Sequence, residues 1–175
     1  TDDFVDTVAA TLQRPRIGPE SLQLEFTEGL MVGDHENTVL IVKRLKELGV
    51  GLSIDDFGTG YSALSYLTRF PLDQLKVDRS FVLGINDSPQ NSELVKAILA
   101  MGKSLGLQII VEGVERVEEL DFFRREDVDC IQGFLFSPAV PLKKLHALLE
   151  PGHFTQSLEL LDQQIRGTNM QIEDA

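Results

Sequence analysis

The chain has 175 residues, of which 42% are hydrophobic and 25% are charged, a composition typical of a globular domain with a sizeable core. Its net charge of −12 argues against a nucleic-acid polymer as a partner, because phosphate binding requires a basic face. No apolar run reaches about 18 residues and the acidic start does not resemble a signal peptide, so we expect no membrane segment in this chain. The one cysteine, Cys130, excludes an intrachain disulfide and fits a reducing compartment.

Apolar periodicity and turn residues predict helices and strands in alternation. In chain order, the predicted elements are helix 3–13, strand 20–28, helix 36–48, strand 50–56, a short helix or turn at 61–67, strand 72–78, a helix from Pro89 to Gly106, strand 107–113, helix 116–126, strand 128–136 and helix 141–150. This alternation predicts an α/β fold in which helices cover a parallel sheet of about five strands. We assign residues 1–150 to one domain and residues 151–175 to a C-terminal helix and a polar tail.

Polar residues recur where the predicted strands end. The five strand ends carry Glu25 with Glu28 beyond it, Asp55 and Asp56, Lys76 with Asp78, Glu112 with Glu115, and Gln132. Because the carboxyl ends of parallel strands share one face, and barrel enzymes place their active sites there, we expect these side chains to form one ring.

The chemistry of such a ring favours divalent metal ions. Several carboxylates cannot all stay ionised in one place without a counter-charge, and Mg²⁺ or Mn²⁺ prefers carboxylate oxygens. Adjacent acids at Asp55 and Asp56 suit two ions, an arrangement used for phosphoester displacement. Lys76 would stabilise developing negative charge or orient the attacking water, and Gln132 would hold that water or a ligand oxygen.

Each residue alone has a simpler interpretation. A single acid after a strand is often the N-cap of the next helix. Asp56, which precedes a glycine turn, could be there only to form that turn. Lys76 alone could be a surface lysine with an extended stem. The histidines at 35, 146 and 153 are too scattered to predict a zinc site. The five strand ends together favour a metal-dependent α/β enzyme and leave its substrate open.

Five motifs resemble those of one family. They are LEFTE (24–28), IDDFGTGYSALSYL (54–67), LKVDRSFV (75–82), VEGVE (111–115) and QGFLFS (132–137). In order and spacing, over about residues 3–150, they are similar to the EAL-type phosphodiesterase domain, which hydrolyses cyclic di-GMP to linear pGpG. The resemblance implies a TIM-type (β/α) barrel, of which this chain holds about five strands and lacks the first ones.

The resemblance also implies roles for individual residues. Metal ligands would be Glu25, Asp55 as the ligand shared by two ions, Asp56 on the second ion, and Glu112 as metal contact or general base. Lys76 and Gln132 resemble residues near the catalytic water, and Glu28 resembles the anchor of the loop after Asp56. That loop, about residues 57–67, would contact a second copy of the chain. Asp78 and Glu115 match motif positions without a firm role.

Several expectations follow from this resemblance. The cofactors would be two Mg²⁺ or Mn²⁺ ions, the ligand cyclic di-GMP, the assembly a homodimer, and the parent protein would carry a sensory or GGDEF-type domain. The location would be cytoplasmic, with membrane tethering of the parent left open. Because the Glu-Ala-Leu segment and an upstream Asn ligand are absent, we expect weak or no activity from this stretch alone.

Two alternatives remain. One is a cyclic di-GMP receptor that binds the messenger without cleaving it. The other is an enolate-stabilising barrel enzyme, which also places carboxylates and a lysine at strand ends. The Asp55–Asp56 pair and the tight turn that follows argue against the second.

Overall fold

The computed structural model describes residues 2–13, 18–31, 35–58 and 67–150. Its described helices are α1 (Asp2–Leu12), α2 (Glu28–Met31), α3 (His35–Glu47), α4 (Arg79–Val82), α5 (Pro89–Ser104), α6 (Val117–Arg125) and α7 (Leu142–Leu148). Its described strands are β1 (Gln23–Thr27), β2 (Gly51–Phe57), β3 (Gln74–Val77), β4 (Gln108–Glu112) and β5 (Cys130–Gln132). The α/β alternation predicted from the sequence is therefore confirmed.

The five strands form one parallel sheet in the order β1-β2-β3-β4-β5. Every strand pairs with the strand that precedes or follows it along the chain. The register pairs Thr27 with Asp55, Val77 with Val111 and Glu112 with Gln132. All five carboxyl ends consequently meet at one edge, which we call the carboxyl edge, and the opposite side is the amino edge.

The core lies between the sheet and the helices that cover it. On β2, β3 and β4 the fully buried apolar side chains lie at alternate positions, so they share the sheet face that packs against the helices. The fully buried strand residues include Leu52, Ile54, Leu75, Val77, Ile109 and Val111. Helix α3 adds Val42 and Leu45, α5 adds Leu99, and α6 adds Phe123. This continuous core fixes the strands that present the polar residues.

Two predicted strands were too long. Strand β1 begins at Gln23 because Pro19–Ser21 forms a 3₁₀ turn before it, and helix α2 already begins at Glu28. Strand β5 covers only Cys130–Gln132 instead of 128–136, because the chain turns after it and Phe136 N–H donates to Gly133 C=O at 3.1 Å. The apolar residues of that turn therefore lie outside the sheet.

The helices also differ in detail from the sequence predictions. Val5 and Val8 bury one face of α1, whereas Phe4 is 44% exposed. The short helices α2 and α4 were not predicted, because four residues are too few to show a period. The helix or turn predicted at 61–67 lies outside the described residues except for Leu67, and the whole segment 151–175 lies outside them.

None of the helices in the described part of the chain is long and apolar enough to cross a membrane.

Candidate functional site

Lys76 of β3 lies at the centre of three carboxylates at the carboxyl edge. Its Nζ is 2.7 Å from Glu25 Oε1, 3.0 Å from Asp55 Oδ1 and 2.8 Å from Glu112 Oε1. The three acids come from β1, β2 and β4, so four neighbouring strands build this cluster. Only 9% of the Lys76 side chain is exposed, which excludes the interpretation as a surface lysine.

The acids hold Lys76 in its charged form. Burial disfavours an ammonium, but the ion pairs with Glu112, Glu25 and Asp55 outweigh it, and the pKa of Lys76 lies well above its ordinary value. Three carboxylates around one ammonium leave this cluster with a net negative formal charge. The cluster therefore remains attractive to further positive charge.

Glu25 reaches the cluster from within its strand. It was expected at the end of the first strand, but β1 continues to Thr27. Its longer side chain spans the remaining distance to Lys76. Asp55 is likewise two residues from the end of β2, which continues to Phe57.

Asp55 and Asp56 differ sharply in environment. Asp55 Oδ1 is buried and has no well-aligned hydrogen bond, although the Lys76 ammonium is close to it. Asp56 is exposed and adopts a positive φ of 53°, at a register shift between β2 and β3. Such a bulge re-aims a side chain, so the two adjacent acids point in different directions. Although Asp56 is exposed, partial desolvation, followed by repulsion from Asp55 and Asp78, raises its pKa.

Glu28 lies beneath the start of the loop that it was predicted to anchor. It is 5% exposed and accepts a hydrogen bond from the Gly58 N–H at 3.3 Å. Most of that loop, residues 59–66, lies outside the described residues, as does any contact that those residues would make with a second copy.

Gln132 and Glu112 end neighbouring strands and pair in register. Both line an open cleft of about 820 Å³ at the carboxyl edge. Its other walls come from the segments after β4 and β5 and from α4, and the apolar part includes Phe134, Phe136 and Pro138. Phe134 is 65% exposed, so this wall faces solvent and is open to a ligand.

The two residues without a firm role have defined partners. Asp78 caps α4 by accepting a hydrogen bond from Ser80 N–H at 3.0 Å, and this bond lowers the pKa of Asp78. Asp78 is thus the helix cap that the simpler interpretation anticipated. Glu115 forms an ion pair with Arg79, whose Nη2 is 2.9 Å from Glu115 Oε1.

Sequence reasoning missed Arg79 and Glu119 at this edge. Glu119 accepts hydrogen bonds from the Glu115 and Arg116 N–H groups at 2.9 and 3.0 Å. Burial opposes its charge, but these bonds and the Arg116 guanidinium outweigh it and lower the pKa of Glu119. Its position three residues after Arg116, at a helix start, was the available signal.

The cluster contains donors of the kind that a hard divalent cation requires. They are carboxylate oxygens, and one of them, Asp55 Oδ1, is buried without a hydrogen-bond partner. Within residues 2–13, 18–31, 35–58 and 67–150, however, no three His, Cys, Asp or Glu side chains are arranged to hold a metal ion. The acids gather around the Lys76 ammonium instead. Donor chemistry therefore fits a metal, and the lysine occupies the point where the acids converge.

Comparisons with known proteins agree with the motifs. Residues 1–139 match the family model of the EAL domain. A curated relative, the cyclic di-GMP phosphodiesterase NbdA of Pseudomonas aeruginosa, is 45% identical over 151 residues, which cover 86% of this chain and 19% of the relative. The chain therefore spans about a fifth of the length of that relative.

Solved structures show the same likeness in three dimensions. The EAL domain of Mycobacterium smegmatis DcpA has a TM-score of 0.81 at 39% identity, over 87% of this chain and 68% of that one. The PaMucR phosphodiesterase in complex with c-di-GMP has a TM-score of 0.76 at 40% identity, over 81% of this chain and 57% of that one. These matches confirm the predicted fold class, a TIM-type (β/α) barrel.

A further structural match contains a metal. Klebsiella pneumoniae BlrP1, solved as a manganese and cyclic di-GMP complex, has a TM-score of 0.68 at 34% identity, over 78% of this chain and 34% of that one. A calcium complex of the same protein matches with a TM-score of 0.71 at 34% identity, over 77% of this chain and 34% of that one. Divalent metal use by this chain is consistent with both.

Proposed function

Because this chain belongs to the EAL domain family, we propose that it carries the active site of a phosphodiesterase that hydrolyses cyclic di-GMP to linear pGpG. The observation that carries the proposal is the convergence of Glu25, Asp55 and Glu112 on Lys76 beside an open cleft. A cluster of net negative charge is suited to a phosphodiester only when cations bridge the two.

We propose that these cations are two Mg²⁺ or Mn²⁺ ions. Their ligands would be Glu25, Asp55, Asp56 and Glu112. When bound, such ions would polarise a phosphoryl oxygen of the substrate and lower the pKa of a water molecule. In the proposed reaction, water adds its oxygen to phosphorus, one P–O bond to a ribose breaks, and that ribose oxygen takes up a proton. The product is a linear dinucleotide with one terminal phosphate.

The residues of the chain would divide the work. The Lys76 ammonium keeps three carboxylates close together, and its positive charge can stabilise negative charge that develops on the phosphate. Gln132 carries both a donor and an acceptor and lines the cleft beside Glu112, so it can orient a water or a ligand oxygen. Glu28 holds Gly58, the first residue of the loop after β2, by accepting a hydrogen bond from its N–H.

The proposal extends to partners and place. The loop after Asp56 would form the contact of a homodimer, and a sensory or GGDEF-type domain would accompany this domain in the whole protein. Since cyclic di-GMP acts inside bacterial cells, the domain would work in the cytoplasm.

Turnover in the full-length protein tests this function. We expect cyclic di-GMP with Mg²⁺ or Mn²⁺ to yield pGpG, detected by chromatography and mass spectrometry, and we expect the 175-residue chain alone to be slower. Binding without any pGpG would favour the receptor alternative, and neither binding nor turnover would overturn the proposal.

A matched pair of variants tests the second-ion ligand. Asp56 and Asp127 both have a positive φ, 53° and 52°, which Asn tolerates as well as Asp. Asp56→Asn should lower turnover about a hundredfold, because an electrostatic group at the reaction centre is lost. Asp127→Asn should leave turnover unchanged, and equal effects of the two substitutions would show that Asp56 is not a ligand.

A further inference from the structure

Arg79 connects α4 to the segment that follows β4. We call residues 113–116 the β4–α6 loop. The guanidinium pairs with Glu115 at 2.9 Å, and the aliphatic stem lies against Gly113. A Cβ added to Gly113 would lie only 2.4 Å from Arg79 Cγ and 2.6 Å from Arg79 Cβ, so a side chain there would displace the arginine. Gly113 also has a φ of +76°, which favours glycine.

This contact continues the link between β3 and β4 beyond the sheet. The paired register ends at Val77 and Val111, and the site residue Glu112 follows immediately. Arg79, two residues after Val77, reaches across to Gly113 and Glu115 on either side of the loop's second residue. The arginine therefore ties the β3 side, which carries Lys76, to the peptide that follows Glu112.

The same loop is fixed from two other directions. On the α6 side, Glu119 accepts hydrogen bonds from the N–H groups of Glu115 and Arg116. On the β5 side, Val114 N–H donates to Gln132 C=O at 3.2 Å, and Val114 C=O accepts from Leu135 N–H at 3.1 Å. The loop thus links Glu112 at the end of β4 to Gln132 at the end of β5, and Arg79 links the loop to the segment that follows β3.

We infer that Arg79 is a positioning residue, which sets Glu112 and Gln132 relative to Lys76 through its ion pair with Glu115 and its contact with Gly113. This inference rests on the proposed function for its kinetic test only. Displacement of reacting groups by about 1 Å can lower a rate a hundredfold, so losing the contacts of Arg79 with Glu115 and Gly113 is sufficient to lower turnover. Arg79 also lines the cleft and is half exposed, so direct contact with a ligand is the rival explanation.

Steady-state kinetics of the full-length protein separate the two explanations. Arg79→Met keeps most of the stem and removes the charge; we expect kcat to fall about tenfold or more with KM within about twofold. Arg79→Lys should recover part of kcat, and Arg79→Met combined with Glu115→Gln should be no worse than either alone. A rise in KM at unchanged kcat would make Arg79 a ligand contact and overturn the inference, as would unchanged kinetics.

Amide hydrogen exchange tests the inference without turnover. In Arg79→Met, the amides of Val114, Glu115 and Arg116 should exchange faster, while those of β2 should not change. Unchanged exchange in the loop would overturn the inference even if the protein is an active phosphodiesterase. Faster exchange in a protein that never yields pGpG would support the role of Arg79 in holding the loop and would reject only the proposed function.

Glycine substitutions supply an independent variant with its own control. Gly113→Ala should reproduce the kinetic defect of Arg79→Met, because the new Cβ displaces the arginine stem. Gly106 has a similar φ of +71° but no neighbour within 4 Å of an added Cβ, so Gly106→Ala measures backbone strain alone. Equal kinetics in the two alanine variants would contradict the role of Arg79.

Discussion

The amino and carboxyl edges of the sheet use acidic side chains in opposite ways. At the amino edge, Asp73 accepts a hydrogen bond from Leu52 N–H at 2.8 Å and pairs with Lys46, and Asp129 accepts one from Ile109 N–H at 2.7 Å. Each acid precedes one strand and binds the second residue of the neighbouring strand. At the carboxyl edge, three acids share one ammonium and one carboxylate oxygen lacks a hydrogen bond.

The difference separates stability from function. Asp73 and Asp129 have individual backbone donors, so their charges are satisfied locally and hold adjacent strands in register. The acids around Lys76 repel one another and depend on a shared cation, an arrangement that stability alone would not favour. Functional sites commonly retain such costly groupings. We therefore expect neutralising an acid to alter unfolding at the amino edge and turnover at the carboxyl edge.

The largest effect should come from Lys76→Met, which removes the cation that the three acids share. Breaking a buried ion pair on one side costs about 3 kcal/mol in unfolding free energy, and turnover should be lost as well. Urea denaturation at several pH values measures this.

The pH dependence of the unchanged chain follows from the raised pKa of Lys76. Since the pKa of Lys76 is raised in the folded state, its stabilising contribution is complete at neutral pH and is lost only in alkaline solution above the ordinary lysine pKa. Lys96→Met, which removes an exposed lysine paired with Glu93, serves as the control and should leave unfolding unchanged. Equal effects of the two lysines would show that the acid cluster does not depend on the Lys76 ammonium for stability.

The next effect should come from Asp55→Asn. Turnover of cyclic di-GMP should fall at least about a hundredfold, whereas the unfolding free energy should not fall, because one of three mutually repelling charges is removed. Kinetic assays and urea denaturation of the same preparation measure both quantities. A destabilised variant that retains turnover would show that Asp55 acts like the amino-edge acids.

The same substitution at the amino edge, Asp73→Asn, should give the reverse result. The bond to Leu52 N–H becomes neutral and the ion pair with Lys46 is lost, which should cost about 1 kcal/mol in unfolding free energy. Turnover should not change, because Asp73 lies at the opposite edge of the sheet. A large loss of turnover here would contradict the separation.

The smallest effect should come from Asp129→Asn. Asp129 makes one backbone hydrogen bond, to Ile109 N–H, so replacing a charged acceptor with a neutral one should cost about 0.5 kcal/mol. Thermal unfolding compared with Asp73→Asn measures the difference between the two positions. A cost larger than that at Asp73 would show that the Lys46 pair does not add to stability.

Much of this arrangement could be predicted from the sequence. The strand predicted at 107–113 is strongly β-branched and ends at a glycine, and the structure places β4 at Gln108–Glu112. Glu25, Asp55, Lys76 and Glu112 lie together at one edge because parallel strands leave no other place for their carboxyl ends. Local pattern was sufficient wherever an element was long and regular.

The remainder depended on contacts between distant segments. The convergence of Glu25, Asp55 and Glu112 on Lys76 requires the register of four strands, which no single segment encodes. The apolar run after Gln132 read as strand, but Gly133 packs so closely on Val114 that an added Cβ would lie 1.9 Å from its carbonyl oxygen, and the chain turns there. The roles of Asp56 as ligand and Glu28 as loop anchor stay predictions.

The strand order has a consequence for how the chain folds. Each strand pairs only with the strand made just before or just after it, as in Gln23 with Gly51 and Gln74 with Gln108. Among the five described strands no pairing waits for a remote segment, so this sheet can grow one β–α unit at a time while the chain leaves the ribosome. We expect nascent chains stalled beyond α5 to protect β2 and β3 from proteolysis before β5 has been synthesised.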